Sequence, residues 1–226
     1  MKQLTFILAA GVLLSCLSCT SGGKDQAAEE TPIPAASYKA IMVQHPVASY
    51  AAWKPVYMAH DSMREAFGIT RYVVGRGTVD TNMIFVVNKI SDLAKAKEFA
   101  AHPDLKMAME KAGVTGPPTF SYLDVIRDEN SEIPQKERLM VSHRVKDFDA
   151  WLKVYDAEGR TKRAEYGLLD RVLARGADDP NMVYIVFAVT DAAKAKARTE
   201  SEELKKLMTD AGVEGPPQAF FYTLDN

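Results

Sequence analysis

Cysteine is almost missing from this chain of 226 residues: there are two, Cys16 and Cys19, and none after them. Everything beyond residue 19 therefore has neither a disulfide framework nor a thiolate metal cluster. An excess of charge of one sign is missing as well. The net charge is −2 and the pI about 6.1, so there is no basic face of the kind that binds nucleic acid. The chain has no His-x-x-x-His, no carboxylate cluster, no Gly-x-Ser-x-Gly and no P-loop Lys-Ser/Thr, which removes the usual metal, hydrolase and nucleotide signatures. No metal site and no cofactor is expected. What is present is ordinary globular material, 47% hydrophobic and 26% charged.

The two cysteines belong to the N-terminus. Met1-Lys2 is a basic start, and Leu4 to Leu14 is an apolar run too short to span a bilayer but suited to a signal h-region. Leu13-Leu14-Ser15-Cys16 resembles a bacterial lipobox, and Ser18-Cys19 is a second candidate cleavage point. Residues 1–18 read as a signal peptide with lipidation at Cys16 or Cys19. Residues 19–37, small, charged and Pro-rich, read as a flexible tether. The resemblance implies a lipid-anchored protein of the bacterial cell envelope, in contact with membrane through that lipid only. A plain secretory signal is the alternative.

The rest is one unit written twice. Met42-Val-Gln-His-Pro-Val-Ala-Ser-Tyr-Ala-Ala-Trp53 is echoed 98 residues later by Met140-Val-Ser-His-Arg-Val-Lys-Asp-Phe-Asp-Ala-Trp151. The first copy spans 38–124, a charged linker 125–137, and the second copy 138–226. In each, a β-rich apolar stretch (Tyr38–His45, Arg138–His143) leads to a helix capped by Ser49 or Asp147 and ended by Gly68 or Gly167. The offset becomes 99 at those glycines, so one residue is inserted near the end of the second copy's first helix. A hairpin follows (Arg71–Arg76 to Met83–Val87; Arg171–Arg175 to Met182–Val189), then a helix capped at Ser91-Asp92 or Thr190-Asp191. A further helical piece and a last strand (Thr119–Leu123; Gln218–Leu224) complete each βαββαβ copy.

One such copy is incomplete physically. Helices cover one sheet face, yet both faces of Met83–Val87 and Met182–Val189 are apolar, so the second face needs a cover. The other copy's sheet is the nearest one. The fold expected is α+β: two ferredoxin-like repeats packed sheet to sheet, a monomer acting as a pseudo-dimer.

The pattern His-x-Val-x-(Asp/Ser)-(Phe/Tyr)-x-Ala-Trp, then Arg-Gly-x-x-Asp-x-Asn-Met, then Ala-Gly-Val-x-Gly-Pro-Pro, resembles the stand-alone, antibiotic-biosynthesis-monooxygenase (ABM)-like proteins of the dimeric α+β barrel superfamily. The resemblance covers about Tyr38–Tyr122 and Arg138–Tyr222. It implies halves that close into a barrel. Most of that subgroup has no assigned function.

The candidate site residues come in matched pairs. His45 and His143, at equivalent strand ends, are candidate catalytic bases, or they fix the strand-to-helix turn. Trp53 with Tyr57, and Trp151 with Tyr155, lie at i, i+4 on one helix face and either fill the core or wall a cleft for a flat apolar ligand. Arg76 and Arg175 hold an anionic ligand group or pair with turn carboxylates such as Asp80 and Asp178. His60 and His102 have no counterparts and read as surface residues. Three functions remain open: binding of a small apolar or aromatic molecule in helix–sheet pockets, cofactor-independent monooxygenation of a phenolic or quinol-like substrate, and a structural or interaction domain without a ligand.

Overall fold

In a computed structural model, residues 33–225 are described. The expected signal segment, Cys16, Cys19 and most of the expected tether lie outside them. The first half runs β1 (Ala35–Pro46), α1 (Tyr50–Ala59), α2 (Asp61–Ala66), β2 (Ile69–Gly77), β3 (Met83–Ile90), α3 (Leu93–Ala101), α4 (Pro103–Lys111) and β4 (Thr119–Asp128). The second half runs β5 (Glu137–Val145), α5 (Phe148–Glu158), α6 (Arg160–Glu165), β6 (Leu168–Gly176), β7 (Met182–Val189), α7 (Ala192–Glu200), α8 (Glu202–Asp210) and β8 (Val213–Leu224).

The helix starts follow the capping chemistry of the sequence. The Ser49, Asp92, Asp147 and Asp191 side chains each accept a hydrogen bond from the backbone N–H three residues on. The expected first helix is two helices in each half. In the first half the break falls at His60. In the second it falls at Gly159, whose φ of 82° suits only glycine, and Gly159 is the extra residue that moves the offset from 98 to 99.

The eight strands form one closed antiparallel barrel in the order β1-β3-β2-β8-β5-β7-β6-β4. Two seams join the halves, β2 with β8 and β4 with β6. The second seam explains why β4 runs on to Asp128 and not only to Leu123: Asp124–Asp128 looks like charged linker, but it pairs with β1 on one side and β6 on the other. Val125 then turns into the barrel, and Ile126 packs on the outer core. The order begins earlier than the tether suggests, too. β1 starts at Ala35, and Ile33 is 3% exposed, packed into the second half's helix-side core.

The barrel interior is the surface that neither half could shield alone. Met42, Phe85, Leu123 and Val125 of the first half meet Met140, Ala174 and Tyr222 of the second. Across the β2–β8 seam the Phe85 and Tyr222 rings lie 4.4 Å apart. Such a pair contributes about 0.5–1.5 kcal/mol beyond its buried area. Tyr222 can sit there because Gly75 is opposite: a Cβ on Gly75 would come within 2.5 Å of the Tyr222 ring. The matched seam makes the opposite choice, with Ala174 and Leu123 at the corresponding places. Outside, α1–α4 and α5–α8 cover the sheet over separate apolar clusters, one side of each holding Trp53 or Trp151.

The two tryptophans, one per half, make cooperativity measurable. In Trp53→Phe and Trp151→Phe variants the remaining indole reports the opposite half. Urea unfolding followed by fluorescence is expected to give coincident midpoints. Phe85→Ala should lower both midpoints together, with a loss of about 3–5 kcal/mol of unfolding free energy. Midpoints that separate would show halves that unfold independently.

Candidate functional site

Two cavities lie outside the sheet and one inside, and a further hollow of about 380 Å³ opens beside Tyr57, Arg71, Tyr72 and Asp225. Each outer cavity lies between the first helix of a half and the sheet, where the i, i+4 aromatics were expected to form a wall. In the first half Trp53 and Tyr57 stack with ring centroids 4.7 Å apart, in the second Trp151 and Tyr155 at 5.1 Å. His45 leans on Trp53 at 5.8 Å and His143 on Trp151 at 5.5 Å. The outer cavities measure about 60 Å³ and about 90 Å³. Pockets that hold a drug-sized ligand run to roughly 300–1,000 Å³, so these are clefts for water or a very small guest.

Burial governs both histidines. His45 is 3% and His143 4% exposed. Neither Nδ1 has a hydrogen-bond partner, and His143 Nε2 has none either. Loss of hydration lowers both pKa values, that of His143 to about 4. Both rings are therefore neutral near pH 7, competent as bases or acceptors but not as cations. An imidazole with two orphaned nitrogens costs about 1–3 kcal/mol per unmet group unless something polar reaches it.

Beside each cleft is a buried arginine that the sequence reading passed over, Arg64 and Arg163, although the two recur at the offset of 99. Arg163 forks onto Asp170 (2.9 and 2.7 Å) and donates to the Tyr155 carbonyl at 2.7 Å. The Tyr155 hydroxyl donates to the same Asp170 at 3.1 Å, and burial with that carboxylate holds the phenol well above its ordinary pKa. In the first half the acid is replaced. Tyr57 donates to Asn88 Oδ1 at 3.0 Å, from the neighbouring strand, and Arg64 reaches the Tyr57 carbonyl and Asp61. Arg64 Nε and His60 Nδ1 stay buried without a partner, so His60 is a cleft residue and not a surface one. His102 caps α4, accepting from the Asp104 N–H.

Arg76 and Arg175 line none of the three cavities. Arg76 donates from Nε to the Thr81 carbonyl at 2.9 Å and covers the Tyr50 ring at 4.1 Å; Arg175 lies 5.3 Å from the Phe148 ring centroid. Neither takes the turn carboxylates: Asp80 accepts the Asn82 N–H, and Asp178 pairs with Lys97 across the halves. Both acids have nearer partners, and the guanidinium planes prefer the aromatic faces.

The inner cavity is the large one, about 650 Å³. Its open lining is the half-buried Val73, Val87, Val172, Tyr184 and Val186, over a closely packed floor of Met42, Phe85, Met140 and Tyr222 that is 1–4% exposed. Its mouth carries the polar groups. Tyr38 and Tyr72 both donate to Asp128 Oδ2, at 2.7 and 2.9 Å, and Lys89 lies 4.4 and 4.1 Å from their ring centres. Arg138 and Arg171 complete the lining with residues of the 129–136 connection. Periodicity alone gave no sign of this space, because inward apolar residues look the same whether they fill a barrel or surround a void. Among the described residues no group of three or more His, Cys, Asp or Glu converges on a point that could hold a metal.

No protein-family model and no curated protein matches this chain. Solved structures do. A monooxygenase candidate from Fusobacterium nucleatum is 13% identical with a TM-score of 0.55, over 84% of this chain and 93% of that one. An anthrone oxidase-like protein is 13% identical at 0.54, over 85% and 95%. A monooxygenase candidate from Lactobacillus acidophilus is 15% identical at 0.50, over 84% and 95%. The fold is thus the one these proteins share, with ferredoxin-like halves in one closed eight-stranded antiparallel sheet.

Two outcomes are expected from the cleft. Breaking the buried pair with Arg163→Met should cost about 3–5 kcal/mol by stranding Asp170, while Arg163→Met with Asp170→Leu regains most of it in urea unfolding. His143 makes the fold acid-sensitive. Its folded pKa of about 4 lies below the unfolded value of 6.5, so the unfolded chain takes the proton first. Its share of stability is complete above pH 6.5 and drains away as pH falls towards 4. Between pH 7 and 4.5 the native chain should lose about 2 kcal/mol more than His143→Leu.

Proposed function

We propose that the protein is a binding module that holds one small, largely apolar or aromatic molecule in the bore of its barrel. The observation that carries this reading is the cavity of about 650 Å³, apolar along its wall and polar at its mouth. An eight-stranded barrel is just wide enough to be filled by side chains or to hold one small ligand, and here a space of ligand size is left open. The size and chemistry match ordinary small-molecule sites. The two helix–sheet clefts, with Trp53 and Tyr57 or Trp151 and Tyr155, are too small for the same guest. Export on a lipid anchor at Cys16 or Cys19 would place this module in the cell envelope, where a tethered carrier or receptor of apolar molecules is useful.

A second reading is cofactor-independent oxygenation of a phenolic or quinol-like substrate. Its support is His143, a buried neutral imidazole with both nitrogens free to accept or donate. The phenolic proton would pass to that base, leaving an electron-rich anion able to react with oxygen.

Mass spectrometry of small molecules released from protein purified from its native envelope identifies the guest. Val186→Trp, which fills the bore, is expected to abolish co-purification while circular dichroism stays native. Ala211→Trp, which fills the second-half cleft, should leave it unchanged. The reverse pattern would move the site to the cleft, and quinol-dependent oxygen uptake lost in His143→Leu would favour the enzyme.

A further inference from the structure

The duplication allows the bore to be compared with itself. Most matched positions agree in kind: Met42 with Met140, Val73 with Val172, Val87 with Val186, Phe85 with Tyr184. At the mouth they do not. Tyr38, Ala40 and Tyr72 of the first half correspond to Lys136, Arg138 and Arg171 of the second. One side of the opening is aromatic, with Lys89 over the Tyr38 and Tyr72 rings and Asp128 bonded to their hydroxyls; the other carries Lys136, Arg138 and Arg171.

Arg138 is the unusual member. It is 7% exposed and lines the cavity, inward on β5 two residues before Met140. Its Nη1 donates to the carbonyls of Gln135 and Glu137, at 2.7 and 3.1 Å. No carboxylate lies within ion-pair distance of it among the described residues. The other buried arginines differ, since Arg64, Arg163 and Arg198 each have an acid. Burial is the main influence on Arg138, and its titratable neighbours are the neutral Tyr222 phenol and a second cation, Arg171. The mouth does hold acids, but Asp128 is taken up by two tyrosine hydroxyls, Glu129 by Ser131 and Arg160, and Glu132 is exposed. Lys89 is engaged by the Tyr38 and Tyr72 rings. A guanidinium out of water without a counter-ion is costly, and the cost is recovered when an oxyanion takes the free side of the fork.

Resting on the bore as the binding site, we infer that its ligand is an amphipathic monoanion: a carboxylate-type oxyanion head held by Arg138, with Arg171 beside it, and an apolar body along the half-buried Val73, Val87, Val172 and Val186. The aromatic side of the mouth then packs on the part of the ligand next to the head. The asymmetry gives the ligand one orientation in a barrel whose backbone has nearly two-fold symmetry.

Decanoate and decan-1-ol share a chain and differ in the head, and titration calorimetry with the full folded protein separates the claims. Decanoate should bind about tenfold or more tighter than the alcohol. Arg138→Gln should remove that preference, weakening decanoate about tenfold or more while changing decan-1-ol less than about twofold. Retained alcohol binding also shows that the variant is folded. Equal affinity for the two probes, or an acid preference that survives Arg138→Gln, overturns the anion inference and leaves the bore reading standing. Binding of both probes that persists in Val186→Trp, or no binding of either, overturns the bore reading itself.

Discussion

The structure depends on one exchange of shielding. Each half has a sheet with two apolar faces and helices for only one of them, and the uncovered faces are turned towards each other inside a closed barrel. At about 25 cal/mol per Å² of apolar surface, interior residues such as Met42, Phe85, Met140 and Tyr222 are worth about 1.5–3 kcal/mol each once out of water. Strand closure follows from the same need, because hydrogen bonds along both seams leave no unpaired edge among the eight strands.

Much of this was legible in the chain. The repeat gave the halves, the period of the apolar residues gave the strands, and Ser49, Asp92, Asp147 and Asp191 marked helix starts that hold in detail. The uncovered face pointed to the barrel. What sequence could not weigh was pairing across the seams. Asp124–Asp128 has three charged residues in five and reads as a connection, yet it is a strand because two neighbours are there to bond it. Nor could local sequence show that a helix bends at His60 while its twin bends at an added glycine.

The site was less legible, for a physical reason. Trp53, Tyr57, Trp151, Tyr155, His45 and His143 announce themselves by recurring, and they do gather in the clefts beneath α1 and α5. Arg64 and Arg163 recur as well, but an arginine near a helix end looks like a solvated charge until Asp170 or the Tyr57 carbonyl is seen to receive it. The bore is harder still. A void is the absence of side chains, and it appears only when the diameter of the closed sheet is compared with the residues that point inward. The likeness to the solved structures describes the same frame and leaves its contents open, as expected when one fold hosts many activities.

Fusion into a single chain has one more effect, visible in Arg138 facing a half that has Ala40 instead. In a barrel made of two identical subunits every side chain in the channel must be present in duplicate. A lone buried guanidinium would then always confront its own copy, and a guest would meet the same chemistry from either direction. Joined copies escape that constraint: each wall can be altered without its mirror, and an entrance can have a left and a right.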